Sequence, residues 1–198
     1  MSLNVNKIIQ SIESISEVAG RLVSWLVLLL ALLTLFVTVP RYLLSNEMFL
    51  QLNLFWLDWE AIRSTYNHNV NALSDSIQFI HAIIFMVGIS YALKLGDHVR
   101  IDILYRKMSA RSQAWVNIIG MLLLFYPTFI FIGVMSWQYV INAWNILESS
   151  SRPGGLPFIY LLKTFLLIMP ALMVLQGTAL LLHNIQILRG QAIKTESD

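Results

Sequence analysis

Residues Leu22 to Leu44 read LVSWLVLLLALLTLFVTVPRYLL, an unbroken apolar run whose one charged residue, Arg41, lies near its end. The bilayer core is ~30 Å thick and a helical residue rises ~1.5 Å, so about twenty such residues are needed to cross it. Three further stretches pass the same test: Ile77 to Leu95, Ala114 to Leu147 and Leu161 to Leu188. The chain of 198 residues is 57% hydrophobic and 12% charged, whereas soluble domains carry ~25% charge. Its fold class is therefore all-α integral membrane protein, one membrane domain over residues 1–198 with spans at 22–44, 77–95, 114–147 and 161–188. The first run follows some twenty residues that contain Glu13 and Glu17, and Thr38-Val39-Pro40 is not a small-x-small cleavage site, so it reads as a retained span.

Basic loops resist translocation and stay cytoplasmic. Lys7, Arg21, Lys94, Arg100, Arg106, Lys107, Arg111, Arg189 and Lys194 fall on one side of the four spans; Arg41, Arg63, Arg152 and Lys163 fall on the other. Both termini are expected in the cytoplasm. Over residues 3–20, Val5, Ile8, Ile9, Ile12, Ile15 and Ala19 recur at three- and four-residue steps opposite Lys7, Gln10, Glu13 and Glu17, the period of an amphipathic helix. It is expected to lie in the cytoplasmic interface, either bracing a partner or orienting the first span. Residues 45–76 are expected to form a long external loop. Its Phe55, Trp56 and Trp59 suit either the headgroup region or a docking surface. The third span exceeds the bilayer core and must tilt, kink or protrude, with Pro127 and Pro170 as sites for kinks.

The charge balance of +2 and the lack of a basic stripe argue against nucleic acid. With no cysteine, thiolate metal sites and disulfides are excluded. Polar residues inside the spans are few, which speaks against a catalytic centre and against an autonomous carrier. His81 and His183 fall toward opposite ends of their spans and do not suit one haem. Gln176, with Gly177 beside it, is the most central polar residue and reads as a helix-packing element. Glu148 and Lys163 stand at equal depth with Arg152 between them, which permits an ion pair, and Pro153, Gly154, Gly155 and Pro157 suit a tight external turn.

Two blocks resemble the small Q-type, DctQ-like subunits of tripartite ATP-independent periplasmic (TRAP) transporters, in the larger variety with a long first loop. The first is Gly96-Asp97-His98-Val99-Arg100-Ile101-Asp102, with Asp97 where the family usually has glutamate. The second runs Glu148-Ser149-Ser150, Pro153-Gly154-Gly155-Leu156-Pro157, Lys163, Pro170 and Leu175-Gln176-Gly177, with Tyr160 where tryptophan is common. The resemblance covers about the last 120 residues and implies Asp97, His98, Arg100, Asp102, Glu148, Arg152, Pro153, Gly154, Gly155, Lys163, Gln176 and Gly177 as interface or structural positions. It further implies a bacterial inner-membrane scaffold, not an enzyme, without cofactor. Its expected partners are a large M-type transport subunit, a periplasmic binding protein that delivers an organic acid or similar solute, and lipids. Sodium is expected in the large subunit, as the ion of a symport. Architecture alone also fits the membrane anchor of a redox complex or a small stand-alone channel or carrier.

Overall fold

The computed structural model describes residues 2–45, 58–96, 105 and 108–190. These form four long helices: α1, Ser2–Ser45; α2, Trp59–Leu95; α3, Ala110–Asn145; and α4, Ile159–Leu188. Each has an apolar window long enough to cross a bilayer, so the chain is a four-span helical membrane protein. Its helices run alternately up and down, which brings Asn6 near the start of α1 beside Gln186 near the end of α4. We call this the termini end and the other the loop end.

Local chemistry sets the helix boundaries. Asp58 caps α2 by accepting the Ala61 N–H at 3.0 Å, and Gly96 ends it in the left-handed region at φ 75°, where a side chain would be strained. Ser109 caps α3. At the far end of α3, Leu147 takes the left-handed conformation at φ 45°, while Glu148 N–H bonds Ala143 O at 3.0 Å. That geometry closes the helix in the manner of a Schellman cap, with leucine where glycine is favoured.

α4 is the centre of the bundle. It packs against each of the other three helices, and α1 pairs with α2. Its buried positions, among them Pro170, Met173, Gln176, Gly177 and Ala179, are spread round the helix, as befits a helix enclosed on several sides. By contrast α1 and α3 leave Trp25 73%, Leu124 72% and Leu123 70% exposed, surface that hydrocarbon solvates at no cost.

Two expectations change, and a third gains detail. Residues 3–20 belong to the same uninterrupted helix as the first span. Ile9 and Ile12 pack on Ala179 of α4, flanked by Val5, Leu175 and Leu182, so one edge of the amphipathic face is covered by protein, while Ile8 and Ile15 stay 51% and 47% exposed. Residues 59–76, read as part of the loop, are helical. There the hydroxyls of Ser74 and Ser76 and the amide of Asn69 bond carbonyls four residues back, and Tyr66 donates to Val37 O of α1 at 2.7 Å. Hydropathy registers only the part of a helix that sits in lipid, so an extension with a polar outer face escapes it. Pro127, finally, follows a π-helical turn at Met121–Phe125, in which Tyr126 N–H reaches Met121 O. The wider turn absorbs the missing donor and the ring clash that proline brings to a helix.

Candidate functional site

The polar residues of the bundle gather where helices meet. On α1, Ile9, Ile12, Ser16 and Ala19 form the buried stripe, and only Ser16 in it is polar. Its hydroxyl donates to Gln176 Oε1 at 2.6 Å. Gln176 is 1% exposed, and its Nε2 has no hydrogen-bond partner among the described residues. The next two residues of α4 turn to α3: a β-carbon on Gly177 would stand 2.5 Å from the ring of Phe125, and Thr178 Oγ1 lies 3.2 Å from Tyr126 OH. Three consecutive residues thus fasten α4 to α1 and to the π turn of α3. A hydrogen bond of this type between membrane helices contributes ~0.6 to ~2 kcal/mol.

Toward the termini end the ties continue. Gln186 Nε2 donates to Asn6 Oδ1 at 2.7 Å, and Asn117 Nδ2 bonds Asn184 Oδ1 at 3.0 Å and Tyr105 OH at 2.8 Å. Lys94 Nζ lies 2.5 Å from Glu17 Oε1, with Arg21 4.0 Å from the other oxygen. Between α1 and α2 the backbone of Gly20 abuts the ring of Tyr91, where a β-carbon would approach to 2.6 Å.

At the loop end the centre is Asp75, which the sequence reading did not single out. Its side chain is 5% exposed. One oxygen takes Arg152 Nη1 at 3.3 Å and the other the Leu156 N–H at 3.1 Å. Asn71 donates to Pro153 O at 2.8 Å, and the turn closes on itself through Ser150 N–H to Leu156 O at 2.9 Å and Gly155 N–H to Arg152 O at 3.0 Å. Gly154 has φ 70°. Gly155 is packed so tightly that a β-carbon would overlap Asp75 Oδ2 and stand 2.5 Å from Ser150 Oγ. The turn after α3 is thereby clamped to α2. Hydrogen bonds to a charged group are worth ~1.5 to ~3 kcal/mol each, and the burial of Asp75 leaves it dependent on both partners.

Of the three charged residues grouped together in the sequence, Glu148 and Lys163 form the ion pair. The Lys163 ammonium also lies 4.0 Å from the centroid of the Tyr139 ring. Arg152 leaves that pair and joins Asp75. Tyr160 packs edge-on against Trp144 at 4.7 Å, whose Nε1 donates to Thr164 at 2.9 Å. Trp59 sits in the first turn of α2 with its Nε1 buried and without a hydrogen-bond partner among the described residues. Phe55, Trp56, Asp97, His98, Arg100 and Asp102 lie outside the described residues. His81 stacks on Phe85 at 4.8 Å, and among the described residues no three His, Cys, Asp or Glu side chains converge as metal ligands would.

What sequence reasoning missed, Ser16 and Asp75, had faint signals. Ser16 is the one polar residue in an apolar stripe, and Asp75 stands just before the uncharged stretch of α2. Neither signal names a partner.

No match was found among curated proteins or solved structures. The family described as "Tripartite ATP-independent periplasmic transporters, DctQ component" matches residues 30–187, which takes in the last third or so of α1, all of α2 and α3, the clamped turn and nearly all of α4. The chain belongs to the DctQ component family of tripartite ATP-independent periplasmic transporters.

Proposed function

We propose that this chain is the scaffold subunit of a sodium-coupled TRAP transporter, holding the large M-type subunit while that subunit imports an organic acid or similar solute handed over by a periplasmic binding protein. The supporting observation is where the buried polar groups spend their hydrogen bonds. Ser16, Asp75, Gln176, Asn184 and Gln186 each bond another part of the same chain. A carrier that binds an ion and an anion needs such groups turned toward a cargo; here they tie helices to one another, which suits a rigid support.

In this reading the termini end faces the cytoplasm, following the distribution of lysine and arginine. Asp97, His98, Arg100 and Asp102 then sit on the cytoplasmic connection between α2 and α3, and the Asp75 clamp faces the periplasm. Membrane vesicles carrying the large subunit and the binding protein, prepared with and without this chain, test the proposal through solute uptake driven by a sodium gradient. Loss of uptake, together with lower recovery of the large subunit when the chain is missing, is expected. Undiminished uptake and recovery would overturn the scaffold role.

A further inference from the structure

The ties between helices define common heights along the bundle, and at a common height α1 and α3 present opposite chemistry. Ser16 of α1 meets Gln176, and Phe125 of α3 meets Gly177. Next to Ser16 stand Ser14, exposed, and Glu17, whose side chain is 47% exposed. Next to Phe125 stand Leu122, Leu123 and Leu124, exposed by 53%, 70% and 72%. Ile15 and Val18 are also exposed on α1, by 47% and 57%, so one side of the bundle carries a charge among apolar residues where the other is all leucine.

The loop end shows the same offset with the same sign. Tyr66 lies roughly 13 Å further out along α2 than Asp75, yet its hydroxyl meets Val37 of α1. So Leu35 and Phe36, 59% and 64% exposed, stand beyond the height at which α4 has already given way to the turn with Ser149 and Arg152. In an upright bundle a flat hydrocarbon slab would have to enclose Glu17 or leave Leu122 to Leu124 in water, and at the other end enclose Arg152 or strand Leu35. Ionised groups are costly in hydrocarbon, and exposed leucine clusters are costly in water.

We infer that the subunit seats obliquely in the bilayer, its lipid-covered belt slanting from near the loop end on α1 to near the termini end on α3. The uncharged stretch of α1 between Arg21 and Arg41 has its midpoint roughly ten residues, or ~15 Å, further toward the loop end than that of α3 between Arg111 and Glu148. α4 lies between the two helices, so they are about two helix spacings, ~18 Å, apart. The corresponding inclination is roughly 40°, the upper end of what membrane helices adopt. On this seat Lys7, Glu13 and Glu17 reach the headgroups on one side of the bundle while α3 is still in hydrocarbon on the other. The inference concerns lipid alone and stands whichever solute the transporter carries.

The chain has no cysteine, so single spin labels can be placed cleanly. Ser14→Cys and Leu124→Cys probe one height, Leu35→Cys and Ser149→Cys the other, in the full chain with its co-purifying partners in phosphatidylethanolamine and phosphatidylglycerol nanodiscs. Power saturation should find Ser14 and Ser149 accessible to a water-soluble nickel chelate, and Leu124 and Leu35 accessible to oxygen dissolved in the bilayer. Equal depth for Ser14 and Leu124 would overturn the inference in favour of an upright bundle. A Leu124 label shielded from both reagents would also overturn it, showing that protein covers α3 there.

Discussion

Gly155 backs directly onto the buried carboxylate of Asp75, with no room between them for even a methyl group. The contact lets the Leu156 N–H reach Asp75 Oδ2 at 3.1 Å and so fixes the turn after α3 against α2. Gly155→Ala must push the turn away and stretch that bond. A loss of ~1 to ~3 kcal/mol is expected, read as a lower melting temperature of the purified chain in detergent, with helix content unchanged below the transition.

The two sides of the Asp75–Arg152 pair are unequal. Arg152 is 45% exposed and Asp75 5%, so Arg152 regains water when the pair is broken, whereas Asp75 also serves the Leu156 N–H. Asp75→Ala should therefore destabilise more than Arg152→Ala, by ~1 kcal/mol or more. Thermal unfolding of both variants checks the order; equal effects would mean that stranding the buried Asp75 carboxylate costs as much as losing its bond to the Leu156 N–H.

Ser16 and Gln176 form a pair in which single changes should be worse than the double one. Ser16→Ala removes the partner of Gln176 Oε1, in a side chain whose Nε2 has none among the described residues, leaving the amide unsatisfied there at 1% exposure. Gln176→Leu removes that amide altogether. The double variant Ser16→Ala/Gln176→Leu should recover ~1 kcal/mol or more over Ser16→Ala alone, measured as a coupling energy in a double-mutant cycle of thermal or denaturant unfolding.

Leu147 holds a left-handed backbone at φ 45° with its side chain 62% exposed. Glycine adopts this conformation freely, while leucine meets its own carbonyl. Leu147→Gly should leave stability unchanged or raise it by up to ~1 kcal/mol, with the gain in the folded state offset in part by the freer unfolded chain. A lower melting temperature would show that the Leu147 side chain contributes packing that its exposure hides.

How far the fold was readable from sequence differs by element. The four spans followed from hydropathy, because crossing hydrocarbon demands a run of apolar residues that no tertiary contact can replace. The extension of α2 back to Trp59 was hidden behind Asn67, Asn69, Asn71 and Ser74, whose polarity reports water on the outer face and says nothing against a helix. The turn chemistry around Pro153, Gly154 and Gly155 was visible, but its anchor, Asp75, lies some eighty residues away in the sequence and could be found only once α2 and the turn were brought together.

Hydropathy alone established a four-span helical membrane protein and the windows that cross the lipid, and the blocks around Gly96 and Glu148 established the family to which it belongs. Composition and periodicity are local, and the bilayer imposes its demand on each segment separately. The tertiary structure alone decided that Arg152 joins Asp75 while Lys163 keeps Glu148, that Ser16 finds Gln176, and that the apolar windows of α1 and α3 are staggered along the bundle. Those outcomes depend on the relative height and rotation of packed helices, which are set by the fit of Gly20 to Tyr91 and of Gly177 to Phe125, and no single segment encodes such a fit.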